Sequence, residues 1–156
     1  MRLKILWVGK TRNPSLAVLA RDYLERIGRL APIEVVEVRD ASRAKGSPGG
    51  KAAESEAASL EKSLVRDAVV VALDEGGREM SSPDFARWLG GTGNTGAREI
   101  DFIIGGPDGL APRLRQRADH VLSLGRMTWT HEMSRVLLLE QIFRSLCILR
   151  NIPYHR

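Results

Sequence analysis

Three short, mostly apolar runs constrain the fold of this chain more than any other feature. They are "LKILWVG" (3–9), "AVVVAL" (68–73) and "IDFIIGG" (100–106). Runs of this length that are apolar on both faces are typical of strands buried inside a parallel sheet. Parallel strands need long crossover connections, which are usually helices. The runs therefore predict a sheet with helices between its strands.

The rest of the chain supplies those helices and two further strands. Apolar residues recur at helical spacing over 15–30, and "IEVVEV" (33–38) and "HVLSLG" (120–125) are typical of strands. Further helices are predicted over 52–65, 111–118 and 131–150. Another helix is predicted to start at Ser82, with Pro83 at its first position. Residues 40–51 are predicted to form a mobile loop. This alternation predicts a single α/β domain over 1–156, with a mainly parallel sheet sandwiched by helices.

Composition excludes several classes of protein. No apolar run approaches the ~18–20 residues of a membrane span, and we interpret the first ten residues as a strand rather than a signal peptide. The single cysteine, Cys147, has no partner for an internal disulfide, which indicates a core residue in a cytoplasmic, reducing compartment. One cysteine and three scattered histidines make a zinc site an unsupported hypothesis, so no metal is expected.

The net charge of +5 lies entirely in the last part of the chain. Residues 1–112 hold sixteen Lys and Arg and sixteen Asp and Glu, whereas residues 113–156 hold eight Arg, no Lys and three acids. Arginine suits bidentate phosphate contacts and stacking on bases. Charge alone is equally compatible with a polyanionic partner and with a solvated basic face.

The segment "GTGNTG" (91–96) matches the G-x-G-x-x-G pattern of dinucleotide-binding proteins. That fingerprint requires a turn that follows a strand and opens a helix. Here the segment follows the predicted helix "FARWL" and precedes a strand, so we interpret it as a flexible loop. No G-x-x-x-x-G-K-[ST] motif is present, and a P-loop hydrolase is also unsupported.

Three predicted strand ends carry the better signal for a ligand site. Leu73 precedes "DEGG", Gly105 and Gly106 precede "PDG", and Leu124 and Gly125 precede "RMTWT". Ligands of open α/β sheets bind beyond the carboxyl ends of the strands. A plain tight turn explains "GGPDG" when it is taken alone, but the three ends together favour a small-molecule site.

The helix predicted from His131 carries two polar pairs at a spacing of four residues. His131 and Arg135 share one face, and Glu140 and Arg144 share another. Spacing alone favours a structural ion pair for the second, and a surface or capping histidine for the first. Thr130 is a candidate N-cap. The helix is apolar nearly all round, which predicts burial on more than one side and, in a protein this small, a homodimer interface.

Four stretches together resemble one family. They are "LDEGG", "IIGGPDGL", "LSLGRMTWTHEMSRVLLLEQIFRS" and "NIPYHR", and the likeness covers essentially the whole chain. The chain resembles the ribosomal RNA large subunit methyltransferase H family of the SPOUT superfamily. The resemblance implies transfer of a methyl group from S-adenosylmethionine to N3 of a pseudouridine in helix 69 of 23S rRNA, in the assembled 70S ribosome. It also implies a homodimer and a C-terminal trefoil knot.

The resemblance assigns roles to residues that match the family pattern. Thr130 departs from that pattern, which commonly has proline there, and Asp108 stands where glutamate is frequent. The implied cofactor-binding residues are Leu73, Gly105, Leu124, Gly125, Arg126, Met127, Thr128 and Trp129. The implied catalytic and RNA-facing residues are His131, Arg135, Glu140, Arg144, Tyr154, His155 and Arg156.

Two further predictions follow from this interpretation. N3 of pseudouridine must lose a proton, and His131 is the candidate base, with arginines to hold phosphates or polarise carbonyls. The segment 151–156 is predicted to dock after Pro153 and complete the substrate pocket, beside the cofactor of the partner subunit. The alternatives are a methyltransferase for another RNA or a protein, and a non-enzymatic ribosome-binding factor.

Overall fold

The computed structural model describes residues 1–41, 49–94 and 96–154. Within these ranges, five strands alternate with five helices. Their bounds, in chain order, are β1 Arg2–Val8, α1 Pro14–Gly28, β2 Ile33–Val38, α2 Gly49–Ser63, β3 Val69–Glu79, α3 Ser82–Asn94, β4 Glu99–Ile104, α4 Pro112–Arg117, β5 His120–Ser123 and α5 His131–Leu149.

The five strands form one sheet in the order β2-β1-β4-β3-β5, and every pairing in it is parallel. In β1, Leu3 is in register with Ile33 of β2 and with Ile100 of β4. Since all strands run the same way, their carboxyl ends and the loops that follow lie at one edge of the sheet. The predicted α/β fold with a parallel sheet is confirmed.

Helices cover both faces of the sheet. Alternate residues of β1 divide between two buried clusters: Ile5 packs with residues of α1, α3 and α5, and Leu6 packs with residues of α2 and α4. The central strands are buried on both sides, as their apolar sequences require. Cys147 is completely buried, which confirms the prediction that it is a core residue.

Strand β3 does not end at Leu73, as the sequence predicted, but continues to Glu79. Its register with β5 shifts there: Leu73 and Arg78 both lie opposite Leu122, so residues 74–77 form a bulge between them. A side chain at Gly77 would place its Cβ 2.7 Å from the β5 backbone. The glycines in "DEGG" therefore allow close backbone approach within a strand instead of marking its end.

The ends of two helices also differ from the prediction. Ser81, not Ser82, caps α3, because its hydroxyl oxygen accepts from the Asp84 N–H at 3.2 Å. Helix α2 begins at Gly49, so the predicted loop over 40–51 is shorter, with residues 42–48 outside the described part. Burial of Ala52 against the sheet favours this first turn despite its glycines.

Residues 91–94 continue α3, so the predicted flexible loop over 91–96 is wrong for these four residues. A Cβ on Gly90 would lie 2.8 Å from the Leu149 side chain, which shows how closely α3 packs against the end of α5. Tertiary packing here outweighs the low helix propensity of glycine. The segment still follows a helix and precedes a strand, so the exclusion of a dinucleotide fingerprint holds.

Helix α5 lies between α1 and α3 on one face of the sheet, and these two neighbours make its main helix contacts. Leu138, Leu139 and Ile142 are completely buried within the single chain. Much of the apolar circumference of α5 is therefore buried by the chain itself, whereas Leu149 at its end is 43% exposed, and the homodimer stays a prediction. No helix in the described ranges is long and apolar enough to cross a membrane.

Candidate active site

A cavity of about 750 Å3 opens at the carboxyl edge of the sheet, beyond β3, β4 and β5. Its walls come from the β3 bulge, the glycine turn after β4, the loop after β5 and the first turn of α5. The predicted ligand residues that line this crevice are Leu73, Gly105, Leu124, Gly125, Met127, Thr128 and Trp129. Arg126, the remaining predicted cofactor residue, is exposed and is not among the lining residues.

The turn after β4 forms the tightest wall of the crevice. The Gly109 N–H donates to the Gly106 carbonyl at 3.0 Å, and Gly109 has a φ of +76°. A Cβ on Gly105 would lie 2.4 Å from the carbonyl carbon of Gly109. Because a real Cβ essentially never approaches backbone this closely, only glycine at position 105 allows the turn to close.

The loop after β5 presents apolar side chains to the crevice. Gly125, at φ +125°, turns the chain, and its N–H donates to the Ser123 hydroxyl at 3.2 Å. The following Met127 and Trp129 are 75% and 43% exposed. Large apolar side chains exposed around a cavity are typical of a ligand-binding surface.

Three carboxylates line the same crevice, those of Asp74, Glu75 and Asp108, and the sequence interpretation did not assign the first two to the site. Asp74 accepts from Arg115 at 3.1 Å and from the Gly76 N–H at 2.9 Å, which holds the β3 bulge. Glu75 accepts from the Thr128 hydroxyl at 3.0 Å and so joins the bulge to the loop after β5. Their signal was present in "LDEGG", where two acids follow a buried strand directly.

His131 opens α5 at the rim of the crevice. Thr130 is the N-cap, as predicted, since its hydroxyl accepts from the Met133 N–H at 3.2 Å. Burial of the His131 imidazole, with the positive charge of Arg135 nearby, lowers the pKa of His131 below its ordinary value of 6.5. A neutral imidazole is therefore available as a base near pH 7.

Arg135 lies in the interior and not in the crevice. Its side chain is 0% exposed, and its guanidinium donates to the Val8 carbonyl and, at 2.9 Å, to the Thr11 hydroxyl. The group also lies over the Trp7 ring, 5.0 Å from the centroid. These contacts hold the loop after β1 in place. Because the guanidinium is directed to that loop, the i,i+4 spacing with His131 does not bring the two side chains into one pocket.

Glu132 holds the same loop from the other side. Its two carboxylate oxygens accept from the backbone N–H groups of Arg12 and Asn13, both at 3.0 Å. Burial raises the pKa of Glu132, but these two hydrogen bonds outweigh it and keep that pKa below the ordinary value. The first turn of α5 thus positions the loop after β1 as well as the rim of the crevice.

A second polar group lies further along α5. Glu140 accepts from Arg144 at 2.9 and 2.6 Å and from the Tyr154 hydroxyl at 3.3 Å. The Tyr154 ring packs edge-on against Phe143 at 4.8 Å between centroids, and its hydroxyl lies 3.4 Å from that of Tyr23. We call these five residues the tyrosine cluster.

Contacts within the tyrosine cluster set the protonation states of Tyr154 and Arg144. Burial, together with the Tyr23 hydroxyl, raises the pKa of Tyr154 well above its ordinary range, so Tyr154 stays a phenol at physiological pH. The hydrogen bond with Glu140 raises the pKa of Arg144. Tyr154 is therefore suited to donating a hydrogen bond or stacking, and not to accepting a proton.

The tyrosine cluster is separate from the crevice within one chain. Glu140 follows His131 by nine residues, which corresponds to roughly 13 Å along a helix. Tyr154 does dock on its own chain after Pro153, but it is not among the residues that line the crevice. The predicted site residues His155 and Arg156 lie outside the described residues.

The whole chain is similar to known methyltransferases. Residues 1–155 match the family model described as "Predicted SPOUT methyltransferase". Over 155 residues the chain is 41% identical to the ribosomal RNA large subunit methyltransferase H of Geobacter sulfurreducens, with 99% of each chain covered. Over 162 residues it is 44% identical to the protein of that name in Dinoroseobacter shibae, with 100% of this chain and 99% of the other covered.

A solved structure shares the fold. A probable methyltransferase from Bordetella pertussis Tohama I matches with a TM-score of 0.59 at 15% identity, covering 93% of this chain and 96% of that one. At that identity the match supports the fold alone, whereas the full-length sequence matches confirm the family resemblance. The chain belongs to the SPOUT methyltransferases, in the family of the ribosomal RNA large subunit methyltransferase H.

Proposed function

We propose that this protein is a methyltransferase that transfers a methyl group from S-adenosylmethionine to N3 of a pseudouridine in helix 69 of 23S rRNA, within the 70S ribosome. The observation that carries the proposal is the crevice, where the β3 bulge and the loops after β4 and β5 meet the start of α5 in a chain of this family. Residues 1–156 act as one methyltransferase domain, and the protein works in the cytoplasm.

The crevice suits a nucleoside that carries a methionine group. Its volume of about 750 Å3 falls in the range of small-molecule pockets. Met127 and Trp129 offer apolar surface to an adenine ring, and the exposed residues 107–109 of the glycine turn also line the crevice. Asp74, Glu75 and Asp108 place three carboxylates at the crevice, of which Asp74 is paired with Arg115, and this excess of negative charge favours a ligand with a sulfonium and an ammonium group. These features support the choice of S-adenosylmethionine.

The chain itself has two tasks in the reaction. S-adenosylmethionine supplies a methyl group that its sulfonium has already activated. The protein must hold N3 of the base in line with that methyl group, and it must receive the N3 proton. His131 lies at the rim of the crevice with a lowered pKa, so its neutral imidazole is the candidate acceptor.

Arg135 has a different role in this proposal from the one its sequence position indicated. Because its guanidinium is buried under the loop after β1, it positions that loop and keeps a positive charge behind His131. It does not contact the base. Arg144 and Glu140 likewise act through Tyr154, whose phenol they orient.

The segment 151–156, called the tail segment below, is proposed to act across a homodimer. Tyr154 lies in the tyrosine cluster of its own chain, away from its own crevice, so it reaches a crevice only when a second subunit provides one. Exposed apolar residues support an interface: Val18 and Leu19 on α1 are 59% and 44% exposed. The C-terminal trefoil knot that the family implies is part of the same proposal.

The substrate assignment depends on charge and on the family. The arginines of residues 113–156 give that part of the chain its excess positive charge, which suits an RNA backbone. One small basic surface does not specify a single base, so a shaped surround is required. We therefore propose the assembled ribosome, rather than free rRNA, as the substrate.

A methyl-transfer assay with several acceptors tests the proposal. The purified protein is incubated with S-adenosylmethionine labelled in its methyl group and with 70S ribosomes, separate subunits, naked 23S transcript, tRNA or ribosomal protein. We expect label in the 23S rRNA of intact ribosomes, at a pseudouridine of helix 69, and little in the naked transcript. Nuclease digestion and mass spectrometry locate the methylated base.

Two outcomes would contradict the proposal. Strong labelling of tRNA, protein or naked transcript would indicate a methyltransferase with another substrate. No heat on calorimetric titration with millimolar S-adenosylmethionine, together with binding to ribosomes, would indicate a ribosome-binding factor without methyl-transfer activity.

A further inference from the structure

A second cavity, of about 860 Å3, lies beside the crevice at the same edge of the sheet. It is built at the carboxyl ends of β1 and β2, whereas the crevice is built at those of β3, β4 and β5. Pro107 and His131 line both cavities and form the wall between them. We call the second cavity the β1–β2 pocket.

Four exposed cations line the β1–β2 pocket: Lys10, Arg12, Arg39 and Lys51. Within the described ranges, no ion pair joins any of these side chains to a carboxylate. Other surface arginines of the chain do pair, as Arg113 does with Glu54 and Glu61. The four cations are therefore available to a ligand from outside the chain.

The carboxylates at this pocket are already engaged with the protein. Glu132 accepts from the N–H groups of Arg12 and Asn13, and Glu37 accepts from the Trp7 indole at 3.3 Å. Asp40 also lines the pocket and has interactions of its own. Hydrogen bonds from N–H groups orient Glu37 and Glu132 but do not remove their charge, so among the described residues the pocket is lined by four positive and three negative side chains, with a small excess of positive charge.

A buried positive charge lies behind the same pocket. Arg135 is 0% exposed, and its guanidinium contacts the carbonyl of Val8, a residue that lines the pocket floor. No carboxylate accepts from it, and its Nε has no hydrogen-bond partner in the described residues. Burial lowers the pKa of Arg135 and outweighs the negative charges of Glu132 and Glu37 that act on it, so a further anion nearby stabilises the charged guanidinium.

We propose that the β1–β2 pocket binds phosphodiester groups of the RNA strand that carries the methylated base. Lysine and arginine side chains are the usual phosphate contacts in RNA-binding proteins. The shared wall at His131 places the pocket directly beside the position proposed for the reacting base, so a strand entering the crevice continues across it. The pocket thus sets the position of the substrate strand, and this role rests on the proposed function.

The double variant Lys10→Gln/Arg39→Gln tests this role. With 70S ribosomes as substrate, we expect KM to rise at least ~10-fold and kcat to stay within about twofold, since phosphate contacts position the strand without entering the chemistry. The slope of log KM against log salt should fall by about two, because two side chains no longer bind a phosphate. The affinity for S-adenosylmethionine, measured by calorimetry, should not change.

Arg66→Gln is the matched control. Arg66 is exposed and precedes β3, so it lies at the opposite edge of the sheet. This substitution removes one positive charge outside the pocket, as the single variants Lys10→Gln and Arg39→Gln do within it, and its KM should stay at the wild-type value. An equal rise in KM for Arg66→Gln and for either single variant would show that net charge, not the pocket, governs binding, and would overturn the inference. Loss of S-adenosylmethionine affinity as the main effect would also overturn it.

Co-sedimentation with ribosomes in the absence of a methyl donor separates this inference from the proposed function. Weaker sedimentation of the double variant than of the wild type, with Arg66→Gln unchanged, supports the pocket even when the wild type fails to methylate ribosomes. In that case only the proposed function fails. Equal sedimentation of the double variant and the wild type overturns the pocket whatever the activity.

Discussion

Two polar pairs on α5, one at its start and one at its middle, have the same spacing of four residues but different environments. His131 and Arg135 are four residues apart, and so are Glu140 and Arg144. At the first pair the imidazole faces two cavities while the guanidinium is buried beneath a loop. At the second pair the side chains bind each other at 2.6 Å and hold Tyr154.

The difference follows from what each part of α5 packs against. The start of α5 meets the carboxyl edge of the sheet, where loops leave open space, so polar groups there remain accessible. The middle of α5 is flanked by α1, and the polar groups there find partners within the chain. We infer that the start of α5 binds the ligands and that its middle presents the tail segment to a partner subunit.

Among the changes that test this comparison, truncation after Pro153 has the largest expected effect. Removal of 154–156 should lower the rate of ribosome methylation roughly 10³-fold, because base stacking worth ~1–3 kcal/mol and substrate positioning are lost together. The affinity for S-adenosylmethionine should stay within about twofold, since the crevice is formed without Tyr154. Methyl-transfer kinetics and calorimetry measure the two quantities.

A truncated protein that methylates at the wild-type rate would show that the tyrosine cluster only stabilises the fold. A mixed dimer sharpens the test. A truncated subunit with an intact crevice, paired with a full-length subunit whose crevice carries Gly105→Val, should regain about half the activity if the tail segment acts across the interface.

Substitution of His131 tests the role of the start of α5. His131→Gln should lower kcat/KM by ~10²-fold, the usual contribution of a general base. In the wild type, log kcat/KM should rise with pH up to the lowered pKa of His131, below 6.5, and stay level above it. A variant that keeps the same rising limb would exclude His131 as the base.

The lowered pKa of His131 also predicts a change in stability with pH. The unfolded chain takes up the histidine proton near pH 6.5, before the folded protein does. The contribution of His131 to stability is therefore complete above pH 6.5 and is lost as the pH falls toward the lower folded-state pKa. Urea unfolding of the wild type and of His131→Gln at pH 7.5 and pH 5.5 should show a smaller loss in the variant.

Glu140 should matter for folding more than its ion pair suggests. Glu140→Ala leaves Arg144 and Tyr154 without their acceptor in a site where the Glu140 side chain is 17% exposed. We expect a loss of ~1–3 kcal/mol in the free energy of unfolding. Glu140→Gln keeps an acceptor oxygen and should lose less.

The exposed pair Asp22–Arg26 provides the matched control for that measurement. It has the same spacing of four residues at 2.8 Å, but its side chains are 44–45% exposed. Asp22→Ala should change the free energy of unfolding by less than ~1 kcal/mol. Equal losses at both pairs would contradict the view that the tyrosine cluster is a docking site for Tyr154.

The smallest expected effect is that of the cap of α5. Thr130→Ala removes the hydroxyl that accepts from Met133, which should lower the free energy of unfolding by about 1 kcal/mol. Thr130→Ser keeps the acceptor and should remain near the wild type. A larger effect of Thr130→Ala on kcat than on unfolding would show that the cap also sets the orientation of His131.

The fold was predictable because apolar patterning is a local signal. The runs of β1 and β4, the helical spacing of α1 and the cap of α5 were each readable in short windows of sequence. The errors occurred where distant segments meet. The β3 bulge depends on the β5 backbone beside Gly77, and the extension of α3 depends on Leu149 beside Gly90.

The candidate site divides in the same way. The loops after β4 and β5 could be assigned to the crevice from sequence, because glycines and apolar residues after parallel strands indicate a ligand site. The burial of Arg135, the positions of Asp74 and Glu75 at the crevice and the second cavity beside it became visible only in the folded chain. The partners of a polar side chain depend on which distant segments pack around it, and the spacing of two polar residues along one helix does not specify those segments.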